Sequence, residues 1–514
     1  MTKLLLTFLA VLFFALPLFA QSVDTAWVRT YNGPGNGAEG NNSVTMVVDD
    51  SGYIYVTGDS YGGAATSDDF ATIKYSPNGD TVWVRRYSGS GAFDDYSNAI
   101  TVDGMGNVYV TGVSYLSSIS ADYLTIKYFP NGDTAWLKKY TGPGSNLDEA
   151  YSIAVDDSGN VYVTGSSYGS GTNSDFATIK YRSDGYQLWA RRYNGTAYGV
   201  DMGIALTLDK GGNIYVTGYA TNSTSGEDYI TIKYYPNGDT AWLRKYTGSG
   251  NNSDKPSDIV VDDSGNVYVT GESYASGTYS DYATIKYSSN GTQLWVKRYN
   301  GPGNNYDFVK AIALDDSGRV YVTGWTYGSG TVNDYTTIKY HPNGDTAWVR
   351  RYNGVGNWSD QAYDIVVDEF FNVYVTGYSY NTSYRADYTT IKYLPNGDSA
   401  WAKIYLGSSL YDFYAYSIAV QGSGEVYVSG CGDGGGADLD FVTIKYVQFT
   451  RGDANHDKKV NIADIVYMVS YLFKFGPPPD PLSSGDANCS SKVDIADIVY
   501  LVSYLFKFGP QPCI

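Results

Sequence analysis

The sequence predicts a mainly β protein: an eight-bladed β-propeller closed by its own N-terminal strand, followed by a small α-helical tail. Three observations predict it. A strand pattern repeats eight times, a tryptophan strand runs out of phase with that repeat, and near the C-terminus helical spacing replaces alternation.

The tetrapeptide TIKY occurs eight times, with its lysine at 74, 127, 180, 233, 286, 339, 392 and 445, in steps of 53 residues. VYVTG or a close variant ends at Gly58, Gly112, Gly165, Gly218, Gly271, Gly324, Gly377 and Gly430. One unit holds four candidate strands; in the second these are SNAITVD, NVYVTG, DYLTIKY and TAWLKKY. Period-two alternation marks each as a strand. DDSGN and PNGD are short Gly/Asn turns that join strands tightly. Four antiparallel strands every 50 or so residues describe a propeller blade, and no helical period appears within the units.

The tryptophan strands contain Trp27, Trp83, Trp136, Trp189, Trp242, Trp295, Trp348 and Trp401. The first precedes the first VYVTG, and the last TIKY has none after it. The eighth unit therefore lacks a fourth strand, and VDTAWVRTY at the N-terminus can supply it. Such closure removes sheet edges that would otherwise aggregate. The expected propeller spans residues 22–448; the alternative is a smaller ring with spare repeats outside it. The pattern D-x-G-N-x-Y-V-T-G followed by D-Y-x-T-I-K-Y resembles the bacterial SBBP propeller repeat. That resemblance implies the fold and no single activity.

Bulk composition sets limits. Hydrophobic residues make up 43% and charged residues 17% of 514, a folding composition. A net charge of −18 argues against a nucleic-acid partner, because phosphate would be repelled. Two histidines, neither in a supporting motif, argue against a Ser-His-Asp site or a His-rich zinc site. Lys3, the apolar run Leu4–Leu18 and Ala20 read as an export signal over residues 1–20, too short for a membrane span. The expected location is secreted, extracellular or cell-surface.

In an antiparallel blade alternate connections lie on one side, so the two long, variable connections of every unit share one face of the ring. Loops on a rigid scaffold are where binding usually lives. Tyr306, Trp358 and Tyr384 lie there among Asn, Ser and Asp, a mixture suited to a glycan or protein ligand. Two acidic series also repeat. One precedes each TIKY (Asp69, Asp122, Asp175, Asp228, Asp281, Asp334, Asp387, Asp440); the other lies in a variable loop (Asp95, Asp148, Asp201, Asp254, Asp307, Asp360). Equivalent carboxylates provide no unlike pair for acid/base work. They are expected to hold turns by accepting backbone N–H bonds, and no catalytic residue is named. The TIKY lysines are expected to lie across neighbouring blades.

The tail, residues 449–514, follows another logic. Asp453, Asn455, Asp457, Lys459, Asn461 and Asp464 fall at positions 1, 3, 5, 7, 9 and 12 of an EF-hand calcium loop, with Lys459 ligating through its carbonyl. The spacing returns as Asp486, Asn488, Ser490, Lys492, Asp494 and Asp497. Two Ca2+ sites are expected, the second weaker because Ser490 carries no charge. Position 6, usually Gly, holds Lys458 and Ser491, which a left-handed backbone would strain. A helix follows each loop. Ile462, Ile465, Val466, Val469, Leu472 and Phe473 form one apolar stripe, and Ile495, Ile498, Val499, Val502, Leu505 and Phe506 the other. The two stripes are expected to pack on each other. KFGPPP and KFGPQP end the helices with Gly then Pro.

A duplicated loop-helix with Asp at position 12 and no entering helix resembles a type I dockerin. The resemblance implies calcium-dependent folding and docking onto a cohesin-like or cell-surface protein, often in polysaccharide-degrading assemblies. Loop positions 10 and 11, which help choose the partner in that family, are Ile462 with Ala463 and Ile495 with Ala496. They depart from the common hydroxyl pair. Tyr471 and Tyr504, on matching helix positions, extend the docking face. A Cys489–Cys513 disulfide is also open to an exported chain. The leading expectation is an exported, non-catalytic binding or scaffold protein. A carbohydrate-active enzyme and a structural surface-layer component are the alternatives.

Overall fold

The computed structural model describes residues 22–63, 66–89, 93–144, 146–223, 226–250, 252–407, 412–422, 424–433, 438–457, 459–507 and 509–512. The export-signal reading, Lys458 and Cys513 fall outside them. The chain divides into a unit spanning Thr25–Tyr446 and one that contains Val447–Ile514.

The first unit is an eight-bladed propeller. Its strands form eight four-stranded sheets, seven of them in simple consecutive order. The innermost strands neighbour one another around the whole ring, including the closing pair Glu39–Val48 and Tyr414–Gln421. No repeat is left over. Blade 8 comprises Tyr414–Gln421, Glu425–Asp433 and Leu439–Phe449, and its outer strand is the N-terminal Ser22–Tyr31, paired with Leu439–Phe449. Closure by the N-terminal strand is therefore observed.

Each blade buries one face of its middle strands against the next. In blade 4, Ile214, Val216, Ile230 and Ile232 pack with Tyr162, Phe176 and Trp189 of blade 3. The repeated polar residues stitch blades together. The Trp83 indole N–H donates to the Pro130 carbonyl of the following blade at 3.1 Å, and the Lys74 ammonium donates to the same oxygen at 3.3 Å. Trp27 and Lys445 of blade 8 do the same to Pro77 of blade 1, at 3.2 and 3.3 Å. The Gly that follows this turn must be Gly: Gly238 has φ +86°, and a Cβ there would sit 2.9 Å from the Trp189 ring. The expected lysine role is thus observed, with the ammonium group capping a turn.

In the second unit, helices α1 (Ile462–Lys474) and α2 (Ile495–Lys507) pack around Ala454, Val460, Met468, Ala487 and Leu501. The expected stripes are corrected. Ile465 and Ile498 face this core, but Ile462, Val466 and Phe473 are 59, 63 and 59% exposed, and Ile495, Val499 and Phe506 are 60, 62 and 61% exposed. Met468 and Leu501, absent from the expected stripes, are the fully buried apolar residues of the helices. The α1 terminus also differs in detail. Phe475, not Gly476, adopts the left-handed cap (φ 57°), and the Gly476 N–H then donates to the Ser470 carbonyl. No helix among the described residues is long and apolar enough to cross a membrane.

Candidate functional site

The two acidic series divide their labour. The first is not held by backbone bonds as expected; in blades 1, 3, 4, 5 and 6 it forms ion pairs within the blade, and Asp122 and Asp387 accept from the Thr141 hydroxyl and the Asn381 amide instead. Arg86–Asp69, Arg192–Asp175 and Lys245–Asp228 lie at 2.8, 2.8 and 2.7 Å. The second series does accept backbone N–H groups. The Asp148 carboxylate accepts from Gly142 at 2.7 Å and from Tyr168 at 2.9 Å, and Asp201, Asp254, Asp307 and Asp360 repeat this. Blade 1 uses Glu39, which accepts from Gly33 at 2.9 Å.

These buried carboxyls carry a charge at a cost. Burial pushes Glu39 and Asp307 up to about 7 and Asp201 and Asp360 up to about 6. A carboxyl raised on folding contributes stability that is fully present below its unfolded value of about 4 and is lost as pH rises through the folded value. The contribution of these four carboxyls to stability therefore falls between about pH 4 and 7. Glu39→Gln keeps the acceptor for Gly33 and removes the charge. It is expected to melt above wild type at pH 8, by about 1–2 kcal/mol, and to show a smaller gain at pH 5, as read by differential scanning fluorimetry.

Against this uniform scaffold one register position changes in every blade. It lies where the inner two strands meet the variable loops. The cross-strand pair is Tyr96 with Val113 in blade 2, Glu149 with Ser166 in blade 3, Lys255 with Glu272 in blade 5, Phe308 with Trp325 in blade 6 and Tyr414 with Cys431 in blade 8.

Over blades 5 to 8 the rings at and beside this position form a continuous ribbon. Tyr279 and Tyr306 lie 4.9 Å apart between centroids, Tyr306 stacks on Phe308 at 6.3 Å and 17°, and Phe308 meets Trp325 at 5.4 Å. Trp325 meets Tyr363 at 5.6 Å, and Tyr363 meets Tyr416 at 5.2 Å. The Lys310 ammonium lies 5.0 Å from the Trp325 ring, and burial lowers its pKa. In blade 7, Trp358 and Tyr384 form a separate exposed pair at 4.5 Å. Of the ribbon, the sequence pointed only to Tyr306. Phe308, Trp325, Tyr363 and Tyr416 sit within strand patterns and become neighbours only through cross-strand register.

Between blades 1 and 2 two further carboxyls, outside the two repeated series, sit in unlike environments. Burial, with Asp59 and Asp94 nearby, pushes Asp68 up to about 6. Asp94 is held below the ordinary range: burial opposes this, but the hydroxyls of Ser67 and Tyr96 donate to it, the latter at 2.7 Å.

In the tail, the first loop is held by its own side chains. The Asp464 carboxylate accepts from Asn461 N at 2.8 Å and Asn455 N at 3.2 Å, and Asp453 accepts from Asp457 N at 3.1 Å. Asp457 accepts from Lys459 N, and the Asn461 side chain accepts from Ala463 N, forming with Asp464 the capping box of α1. The second loop repeats this: Asp497 accepts from Asn488 and Asp494, Asp486 accepts from Ser490 and Ser491, and Asp494 accepts from Ala496. Lys492 lies at its seventh position, and its carbonyl accepts from the Ser490 hydroxyl. Ser491 at position 6 has φ 66°, the strained backbone its place in the loop called for.

The donors are carboxylate, amide, hydroxyl and carbonyl oxygens, the set a hard cation takes. One observation fits a cation in the first loop. Burial pushes the Asp464 carboxyl up to about 6, and the Asp453 and Asp457 charges add to the rise. Among the described residues, however, no three acidic, histidine or cysteine side chains are gathered into a preformed metal cage. In the second loop the Arg451 guanidinium already lies 2.9 Å from Asp486.

Of the predicted partner-facing residues, Ile462, Ile495 and Ala496 are exposed, Ala463 and Tyr471 are half-buried, and Tyr504 packs against the core of the tail. Cys489 is disulfide-bonded, and Cys431 is a buried free thiol in blade 8.

Five segments, residues 82–115, 138–171, 244–277, 294–330 and 347–385, match the family described as SBBP, beta-propeller repeat. A curated relative, an uncharacterized WD repeat-containing protein of Acanthamoeba polyphaga mimivirus, is 24% identical over 70% of this chain. The chain spans about a third of that relative's length, 31%. Solved structures similar to it include the β-propeller domain of the Trilobed protease from Pyrococcus furiosus, at 9% identity and a TM-score of 0.42, covering 73% of this chain and 99% of that one. A gluconolactonase from Xanthomonas campestris matches at 11% identity and a TM-score of 0.28, over 55% of this chain and 90% of that one. At these scores the structural likenesses carry no argument about activity.

Proposed function

We propose that the protein is an exported, non-catalytic binding protein. Its propeller presents a ligand-binding face, and its dockerin-like tail attaches it, through calcium, to a cohesin-like or cell-surface partner. The observation that carries this reading is the pair of matched apolar stripes, Ile462/Val466/Phe473 and Ile495/Val499/Phe506, each next to an acidic loop and left uncovered. An exposed apolar patch of this kind marks a protein contact. The disulfide at Cys489 supports an oxidising compartment.

Bound Ca2+ supplies the positive charge that offsets the loop carboxylates. Asp453, Asn455, Asp457, Asn461, Asp464 and the Lys459 carbonyl would hold it in the first loop. Asp486, Asn488, Ser490, Asp494, Asp497 and the Lys492 carbonyl would hold it in the second, more weakly because Arg451 already meets Asp486. Hydrogen exchange on the full chain tests this: backbone amides of residues 453–507 are expected to exchange more slowly in calcium than in chelator, with the propeller unchanged. Equal exchange in both would sink the calcium reading.

A second reading, a carbohydrate-active enzyme, draws support from the unlike pair Asp68 and Asp94. It predicts glycan hydrolysis abolished by Asp94→Asn in a chain that still folds.

A further inference from the structure

We propose that the aromatic ribbon of blades 5 to 8 is a binding site for a neutral glycan chain. This rests on the reading of the variable face as the binding face, and it names the ligand.

The fold does not require the ribbon. At the register position of Phe308 and Trp325, blade 3 folds with Glu149 and Ser166 and blade 5 with Lys255 and Glu272. Blades 2 to 8 share the register of their inner strands, with the same one-residue bulge, and still differ in the residues at this position, so packing alone does not explain the aromatic run. The run also extends outward to the surface. Tyr306 is 48% exposed in a variable loop, while Trp325, midway along the ribbon, is 7% exposed; the separate pair Trp358 and Tyr384 adds a second exposed aromatic surface on the variable loops, Trp358 at 40%.

The chemistry selects among ligands. Ring faces bury the C–H faces of a pyranose, and tyrosine hydroxyls reach its hydroxyl groups. Carboxamides flank the exposed rings and offer a donor and an acceptor together: Asn300 donates to Asn304 beside Tyr306, and Asn353 donates to Asn357 beside Trp358, both at 2.6 Å. Charge excludes polyanionic glycans. The chain carries −18, and Glu272 and Asp412 lie beside the ribbon. The ribbon's cation, Lys310, is already engaged over the Trp325 ring with Glu272 near it.

Affinity electrophoresis of the full chain tests the proposal. The gels contain hydroxyethyl cellulose, xyloglucan or galactomannan as neutral probes, and alginate or polygalacturonate as anionic ones. Retardation by at least one neutral polysaccharide is expected. The double variant Tyr306→Ala/Trp358→Ala, altered only at exposed rings, should bind it at least tenfold more weakly at an unchanged melting temperature. Tyr186→Ala removes a more exposed ring (64%) from a short turn on the opposite face and should leave retardation unchanged. Binding of an anionic glycan or a protein through Tyr306 and Trp358, with no neutral glycan retarded, overturns the ligand assignment and leaves the binding face standing. Absence of any ligand whose binding depends on these residues overturns both.

Discussion

Deletion of residues 22–31 is expected to lower the melting temperature of the propeller by roughly 10 °C or more and to increase self-association relative to the intact chain. The N-terminal strand is the outer strand of blade 8, so its loss exposes the edge of Leu439–Phe449 as an open row of backbone donors and acceptors. It also removes Trp27, which joins the first and last blades. That ring lies 6.3 Å from Tyr75 of blade 1 and 6.3 Å from Tyr427 of blade 8, and its indole N–H donates to Pro77. Trp27→Ala alone should cost roughly 2–4 kcal/mol. Thermal melts with light scattering separate the two effects: the point variant destabilises without association, and the deletion does both.

Asp464→Ala is expected to abolish most of the calcium-dependent stabilisation of the tail. A ligand at a thousand times its dissociation constant contributes about 4 kcal/mol, and Asp464 is both position 12 of the first loop and the third helical residue of the α1 capping box. In chelator the substitution should still cost about 1 kcal/mol through the lost cap. Asp497→Ala should remove a smaller calcium increment, because Ser490 replaces a carboxylate in the second loop and Arg451 already meets Asp486. Melts of the full chain in calcium and in chelator, read at the tail by hydrogen exchange, give both numbers.

The strand order of the propeller was legible because each element carries its own local signal. Alternation in VYVTG and TIKY, Gly in the turns and the displaced Trp27 strand define blade count and closure without tertiary information. The role of Lys74 followed the same logic, since a residue repeated in every blade must serve the blade; the indole N–H bond of Trp83 to the next blade did not show in the sequence. The binding face was harder to read. Phe308 and Trp325 look like ordinary strand residues until register sets them opposite each other, and Tyr363 and Tyr416 belong to different blades. The Asp69 series was read as turn-holding because its partners, Arg86 and its equivalents, are a strand away in sequence and adjacent only in the sheet.

In the tail the helices were legible and their buried face was not. Apolar residues surround α1 so widely that spacing alone does not choose between Ile462 and Met468. The loop before the helix decides, because Ala454 and Val460 share one core with Met468 and Leu501. The residues displaced to the outside, Ile462, Val466 and Phe473, are the ones the attachment reading depends on.

The central claim, calcium-dependent attachment through those stripes, is tested most directly by capture. The full chain is immobilised and exposed to a purified cohesin module and to surface proteins of its source, in calcium and in chelator, beside the variant Val466→Asp/Val499→Asp. The account predicts a partner retained by wild type in calcium, released by chelator, and not retained by the variant although its propeller melts normally. Retention that ignores calcium, or that survives the two aspartates, would contradict it.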